Sequence, residues 1–416
     1  MDKLKNGVFN SLKWLERYTK TDMIYLARGG FWLGISQFIS TLSAFLTSIA
    51  FANLLAPDVF GIYKYILSIN ALLLITTLSG MDSAVTQSVA RGFDNTLRIG
   101  VKTKMKWGLI GSVISFGLSL YYFLQGNMAL TIGFGITGIF VPFSESFDMY
   151  NSLLWGKKLF DTQTKYNIVR KITSLIFIVG TLLITSNLLI ILLVYFATLT
   201  IPAGFFLLKS IKNHTASKEV DLESIPYGKN LSLISIVRII ASELDKILIF
   251  HYLGAVNLAV YALAVAPNDQ IKGLLKNVNS LAFPQFSQRS INEIRKTIFH
   301  KSLILALITG LITIIYILLA PLFFEIFFPK YLSAVIYSQA LSVSIVGGVI
   351  ISFFYTILES QKAKKELYQY NVYENIFSIV ILFPLVYFYG IWGAVVSRFI
   401  SRLFSLLLGI RLIKRM

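Results

Sequence analysis

Residues 231–253 read LSLISIVRIIASELDKILIFHYL, and this stretch decides the fold. A bilayer crossing takes ~20 apolar residues, and the stretch is that long. Yet Arg238, Glu243, Asp245 and Lys246 interrupt its middle. A charge at the bilayer centre costs about 2.5–3.5 kcal/mol on insertion scales, so such residues face a bundle interior or a wet cavity. At about 100° per residue, Arg238, Ser242, Asp245 and Ile249 share one helix face. The rest of the chain must supply what that polar stripe looks onto.

Composition sets the frame. The 416 residues are 56% hydrophobic and only 14% charged, with a mean hydropathy of +0.71. Soluble domains carry about 25% charged residues, so this is a membrane protein. The formal net charge of +18 lies mainly between apolar runs, which is the footprint of membrane orientation rather than of a nucleic-acid groove. With no cysteine, disulfides, thiolate chemistry and Cys-ligated zinc are excluded. No cleavable signal peptide is expected at the amino terminus.

Residues 1–22 place Leu4, Val8, Leu12 and Leu15 at helical spacing among lysines and arginines, which predicts an amphipathic helix on an anionic leaflet. About twelve apolar spans follow, at 26–54, 60–81, 105–124, 129–151, 169–185, 188–209, 230–253, 257–280, 301–320, 334–357, 372–388 and 391–411. The short 169–185 and the Pro267-containing 257–280 are the weakest of them. Bases such as Arg91, Arg98, Lys102, Lys104, Lys157 and Lys365 fall in alternate connections, and the intervening ones hold only Lys64 and Lys330. Both termini are therefore expected to be cytoplasmic.

The second half repeats the first. Leu55–Tyr63 (LAPDVFGIY) resembles Leu253–Tyr261 (LGAVNLAVY) at an offset of 198, and YNIVRKITSLIFI from Tyr166 resembles YNVYENIFSIVIL from Tyr370 at an offset of 204. Two matches in the same order point to a duplicated six-helix unit in parallel repeat. The expected organisation is the amphipathic 1–22, a first lobe 23–210, a cytoplasmic linker 211–229 and a second lobe 230–416.

Charged residues inside spans are the functional candidates. Arg28, Lys64, Arg238, Lys246, Lys272, Lys276 and Arg398 form a cationic set suited to a phosphate-bearing ligand, arginine as a fork and lysine as a point charge. Asp148, Asp245 and Glu145 are candidates to tune those bases or to bind a coupling ion; structural ion pairing is the competing reading. Bases near helix ends, such as Arg28 and Arg402, also suit snorkelling to the headgroups. Glu243 points away from the Arg238 face and is expected to pair with Lys246.

Other chemistry finds no pattern. Gly133-Phe-Gly-Ile-Thr-Gly138 matches a dinucleotide fingerprint in spacing only and reads as helix packing. No Walker A motif or nucleophile elbow occurs, and His214, His251 and His300 lack metal-ligand spacing. No catalytic residue, metal or cofactor is expected.

Three motifs carry a family resemblance. Leu54–Tyr63 (LLAPDVFGIY) looks like the first turn of the polysaccharide flippases in the multidrug, oligosaccharidyl-lipid and polysaccharide exporter superfamily, with Ala56 where glycine is usual. Glu243–Ile249 followed by Tyr252-Leu-Gly254 resembles their seventh helix, and Phe388–Ala394 (FYGIWGA) their turn into the last. The resemblance implies an all-α integral membrane protein with two six-helix lobes in a MATE-like V around an alternately opening cavity. It implies a non-enzymatic transporter in the bacterial cytoplasmic membrane, flipping undecaprenyl-pyrophosphate-linked oligosaccharides outward for O-antigen, lipopolysaccharide or similar surface polymers. Coupling to H+ or Na+, and partnership with a polymerase and a chain-length regulator, are further expectations. Only Asp245 and Lys246 lie on a matched motif; the other site residues rest on charge placement. A multidrug exporter of the related branch shares the fold, but its cationic substrates call for a lining dominated by carboxylates. A membrane polymerase or ligase needs a large outer loop, whereas the longest outer connection is only about 321–333.

Overall fold

The computed structural model describes residues 23–270, 291–361 and 363–415. The amphipathic helix expected at 1–22, and Lys272 and Lys276, lie outside them. The described elements are α1 (Met23–Leu54), α2 (Pro57–Leu73) with a 3₁₀ turn at Leu74–Thr77, α3 (Met81–Ala90), α4 (Thr96–Leu124), α5 (Met128–Phe147), α6 (Tyr150–Gly156) and α7 (Phe160–Ile184). They continue with α8 (Leu188–His214), α9 (Ser224–Leu253), α10 (255–270), α11 (Ile291–Phe327), α12 (Ala334–Ser360) and α13 (Lys364–Arg415). No strand occurs among the described residues.

Nine stretches of the described residues are long and apolar enough to cross a membrane. One of them, Lys365–Arg415, makes two crossings, because Gly390 adopts φ 58° and reverses the chain in the middle of α13. α9 and α10 complete twelve. α9 falls short in hydropathy because of the charges in its middle, and α10 is described over 255–270 only. The span read as 169–185 is a full-length crossing: α7 starts at Phe160, since its polar first turns are helical as well. α9 likewise begins at Ser224, ahead of its apolar run.

α1 lies along α7, α4 pairs with α5, and α5 packs on α8, giving one group of helices; α11, α12, α13 and α9 pack in a second group. The groups meet most tightly where the repeat motifs sit. Gly61 on α2 lies against the backbone carbonyl of Ala255, so a Cβ at position 61 has no room. Pro57 opens α2 at its first turn, where a missing N–H costs nothing, and the left-handed Gly254 ends α9. The turn Leu54–Tyr63 thus faces its counterpart Leu253–Tyr261. Around this contact Tyr65 stacks on Phe250 at 3.9 Å, Phe45 meets Phe327 at 5.3 Å and Phe60 meets Tyr331 at 6.2 Å. Phe51, Phe60, Tyr63, Leu248, Phe324 and Tyr331 are buried in one continuous cluster drawn from both groups. This end, at the tight turns, is sealed.

At the opposite, basic end the chain between α8 and α9 is docked rather than loose. Asp94 is buried and accepts from Lys157 Nζ at 2.7 Å and from the backbone N–H of Ala216 and Ser217 at 2.8 and 3.1 Å. Burial alone would raise its pKa, but these three donors win and hold the carboxyl below its usual value. Asp221 accepts from Ser88 at 2.8 Å and pairs with Arg91, while its own N–H donates to Thr96.

Candidate functional site

Between the seal and the basic end lies a cavity of about 700 Å³. Ser79, Gly80 and Ser83 from the start of α3 form one wall; Ser235 and Arg238 of α9, Tyr355 of α12, and Tyr370, Asn371, Glu374 and Arg402 of α13 form the others. A second chamber of about 360 Å³ adjoins it, deeper among α9, α10 and α13. Arg238, Glu374 and Arg402 line both and form the neck between them. The lining is rich in hydroxyl, amide and guanidinium groups, in a molecule whose other faces are largely apolar.

α9 places its polar stripe here. Asp245 is 5% exposed and accepts from Tyr261 Oη at 2.6 Å and from Arg398 at 2.7 Å. Arg398 lies over the Tyr261 ring, with its guanidinium 5.8 Å from the centroid. Lys246 pairs with Glu243 at 2.7 Å, one turn away on the same helix. Asp245, Arg398 and Lys246, expected at the site, and Glu243, expected only to pair with Lys246, line the smaller chamber but are committed to one another.

Arg238 and Arg402 are different. Among the described residues neither is held by a hydrogen bond or by a carboxylate at ion-pair distance, although Arg402 feels the charge of Glu374. The Arg402 guanidinium lies along α12 where Gly347 and Gly348 leave the helix without side chains; a Cβ on Gly348 would sit 3.5 Å from its Cζ. Arg402 thus belongs to the cavity rather than to the headgroup region. Cations and carboxylates are equal in number in the smaller chamber's lining, four of each. The anion-binding capacity therefore rests on the two unpaired guanidinium groups rather than on a simple excess of bases.

The remaining candidates lie elsewhere. Lys64 on α2 has its ammonium 5.2 Å from the Phe60 ring centroid and is near enough to Lys246 and Glu243 to feel both. Asp148 pairs with Arg170, and Glu145 lies 4.0 Å from Lys104, so both belong to an ion-pair cluster in the first helical group. The centre of that cluster is Lys104, fully buried and bonded to both Asp82 oxygens at 2.9 Å. Lys104 is therefore no loop base, since Asp82 draws it into the bundle, and Arg170 is likewise a helix residue. Arg28 lies on α1, but its side chain falls outside the described residues, as do Lys272 and Lys276.

Sequence reasoning missed Glu374, Asn371 and Asn375 as lining residues. Their i, i+3, i+4 spacing on an apolar helix was the available signal.

The family described as polysaccharide biosynthesis protein matches residues 26–290, more than half of the chain. No curated protein sequence matched. Similar solved structures cover nearly all of it at low identity. An inward-facing multidrug resistance MATE family transporter of the MOP superfamily aligns at 12% identity over 93% of this chain and 98% of its own, with a TM-score of 0.61. A Vibrio cholerae MATE transporter aligns at 14% identity over 94% and 98%, with a TM-score of 0.55. A MOP superfamily transporter from Pyrococcus furiosus, described as having a binding pocket of reversed polarity, aligns at 13% over 94% and 95%, with a TM-score of 0.54. With its twelve crossings, its seal of paired repeat motifs and its polar chamber, the chain belongs to the polysaccharide biosynthesis protein family, built on the fold of the MATE transporters.

Proposed function

We propose that this protein moves a saccharide carried on an undecaprenyl pyrophosphate lipid from the inner to the outer leaflet of a bacterial cytoplasmic membrane. The observation that carries the reading is the polar cavity of about 700 Å³, with two uncommitted guanidinium groups at its neck and an aromatic seal beyond it. A pyrophosphate is the fixed anionic part of such substrates, and a planar fork matches it. Arg238 and Arg402 hold it. Ser79, Ser83, Tyr355 and Asn371 offer hydrogen bonds to sugars of varied composition, and the lipid tail remains in the bilayer. The basic end faces the cytoplasm, as the distribution of lysine and arginine among the connections indicates. The two helical groups part at the seal to release the saccharide outside, and a cation gradient, H+ or Na+, drives the cycle.

The equal number of carboxylates in the smaller chamber supports a second reading, export of organic cations. One pair of assays separates the two. Vesicles carrying the purified protein are tested for translocation of a labelled polyprenyl-pyrophosphate saccharide and for accumulation of a cationic dye. The lipid substrate is expected to move, and to move at least tenfold more slowly with Arg238→Ala plus Arg402→Ala, while the protein still inserts. Dye transport with an inert lipid substrate would replace the proposal with the second reading.

A further inference from the structure

Lys330 stands out in the sequence as one of two bases in the outer connections, and phosphate recognition at the neck gives it no role. It is exposed at the sealed end, just beyond α11. Its ammonium donates to the carbonyl oxygens of Asn53 at 2.6 Å and Leu55 at 3.5 Å. These carbonyls close α1, which ends at Leu54, in the opposite helical group. The last carbonyls of a helix lack intrahelical donors and carry the negative pole of its dipole, so a cation there is stabilised. Asn53 completes the contact by donating its amide to Phe327 O at 2.8 Å, back across the same boundary. Lys330 pairs with no carboxylate among the described residues.

We propose that Lys330 is a charge–dipole latch that holds the turn end of the molecule shut. An aromatic seal alone gives closure without a polar component that water can replace. On opening, the released ammonium and carbonyls hydrate, which lowers the cost of parting the groups. On closing, the lysine fixes the register in which Gly61 meets Ala255. The latch thereby sets the ratio of turn-end-closed to turn-end-open molecules. This inference rests on alternating access but not on the identity of the substrate.

The chain has no cysteine, so Ala56→Cys and Leu332→Cys, both exposed, place a unique spin-label pair across the boundary. Distance distributions are recorded in lipid nanodiscs without substrate. The parent pair is expected to give one short distance. Lys330→Met should raise the long-distance fraction roughly two- to fivefold, the usual range for an exposed cation lost from a helix carboxyl terminus. Lys330→Glu should raise it further, because an anion there is repelled, and Lys330→Arg should match the parent. Unchanged distributions in Lys330→Met and Lys330→Glu would overturn the latch, and so would equal opening in the two, which would mark a packing role. A parent protein that moves no lipid substrate, while Lys330→Met still shifts the distances, would count against the proposed function and leave the latch standing.

Discussion

Removing the Asp245 carboxylate would take from the Arg398 guanidinium its hydrogen-bonded partner among α9, α10 and α13, leaving beside it the Tyr261 ring and the more distant charge of Asp269. Leaving a buried charge unpaired costs about 3–5 kcal/mol, far more than the net contribution of an intact pair. Asp245→Ala is therefore expected to lower the thermal stability of the detergent-solubilised protein sharply. Adding Arg398→Met should restore much of it, and thermal unfolding of the two single variants and the double variant measures the difference. A double variant as unstable as the sum of the singles would show that the two side chains act independently. Arg238 predicts the opposite pattern: without partners among the described residues, its loss should leave stability nearly unchanged and affect only transport. This division was half legible in the sequence. Helical geometry put Arg238 and Asp245 on one face, but nothing in spacing could join Asp245 to Arg398, 153 residues away. Partner choice over that range is a tertiary fact. Lys104 was misread for the same reason, since it lies in a basic run and its burial depends on Asp82.

The connection between α8 and α9 behaves as a docked strap rather than a flexible tether. Its composition, polar and free of apolar periodicity, predicted a solvated linker and gave no hint that Asp94 and Asp221 clamp it. Because the folded-state pKa of Asp94 is lowered, its contribution is fully present above the unfolded value of about 3.9 and is lost as pH falls through the lower folded value. The strap should resist pepsin at about pH 4.5 and become cleavable within 215–223 at about pH 2.5. Asp94→Asn should be cut at the higher pH already, as mass analysis of the fragments would show. The crossings among the described residues were legible, because apolar length and turn chemistry are local signals. The misplaced starts, at Thr96, Phe160, Ser224 and Lys364, arose where helix continues past the apolar window into polar turns.

For the molecule in its membrane, the placement of bases makes one further claim. A cytoplasm-active reporter fused after Lys218 is expected to be active, and one fused after Gly126, in the tight turn between α4 and α5, inactive. The reverse pattern would invert the direction of transport proposed above. The sealed end also speaks to descent. Leu55–Tyr63 and Leu253–Tyr261 are the matching turns of the sequence repeat, and they touch each other, Gly61 against Ala255. A patch that packs on its own equivalent is the signature of a two-fold dimer interface. Such a contact is what would remain if two identical six-helix subunits, paired through this turn, had been joined into one chain. Once joined, the halves no longer had to match. At the offset of 204 the cationic Arg170 of α7 answers to the acidic Glu374 of α13. Arg170 is spent in an ion pair with Asp148, while Glu374 stands at the neck of the cavity. A fusion of that kind would free one half to serve as framework and the other to line the cavity, a division of labour that a symmetric dimer cannot make.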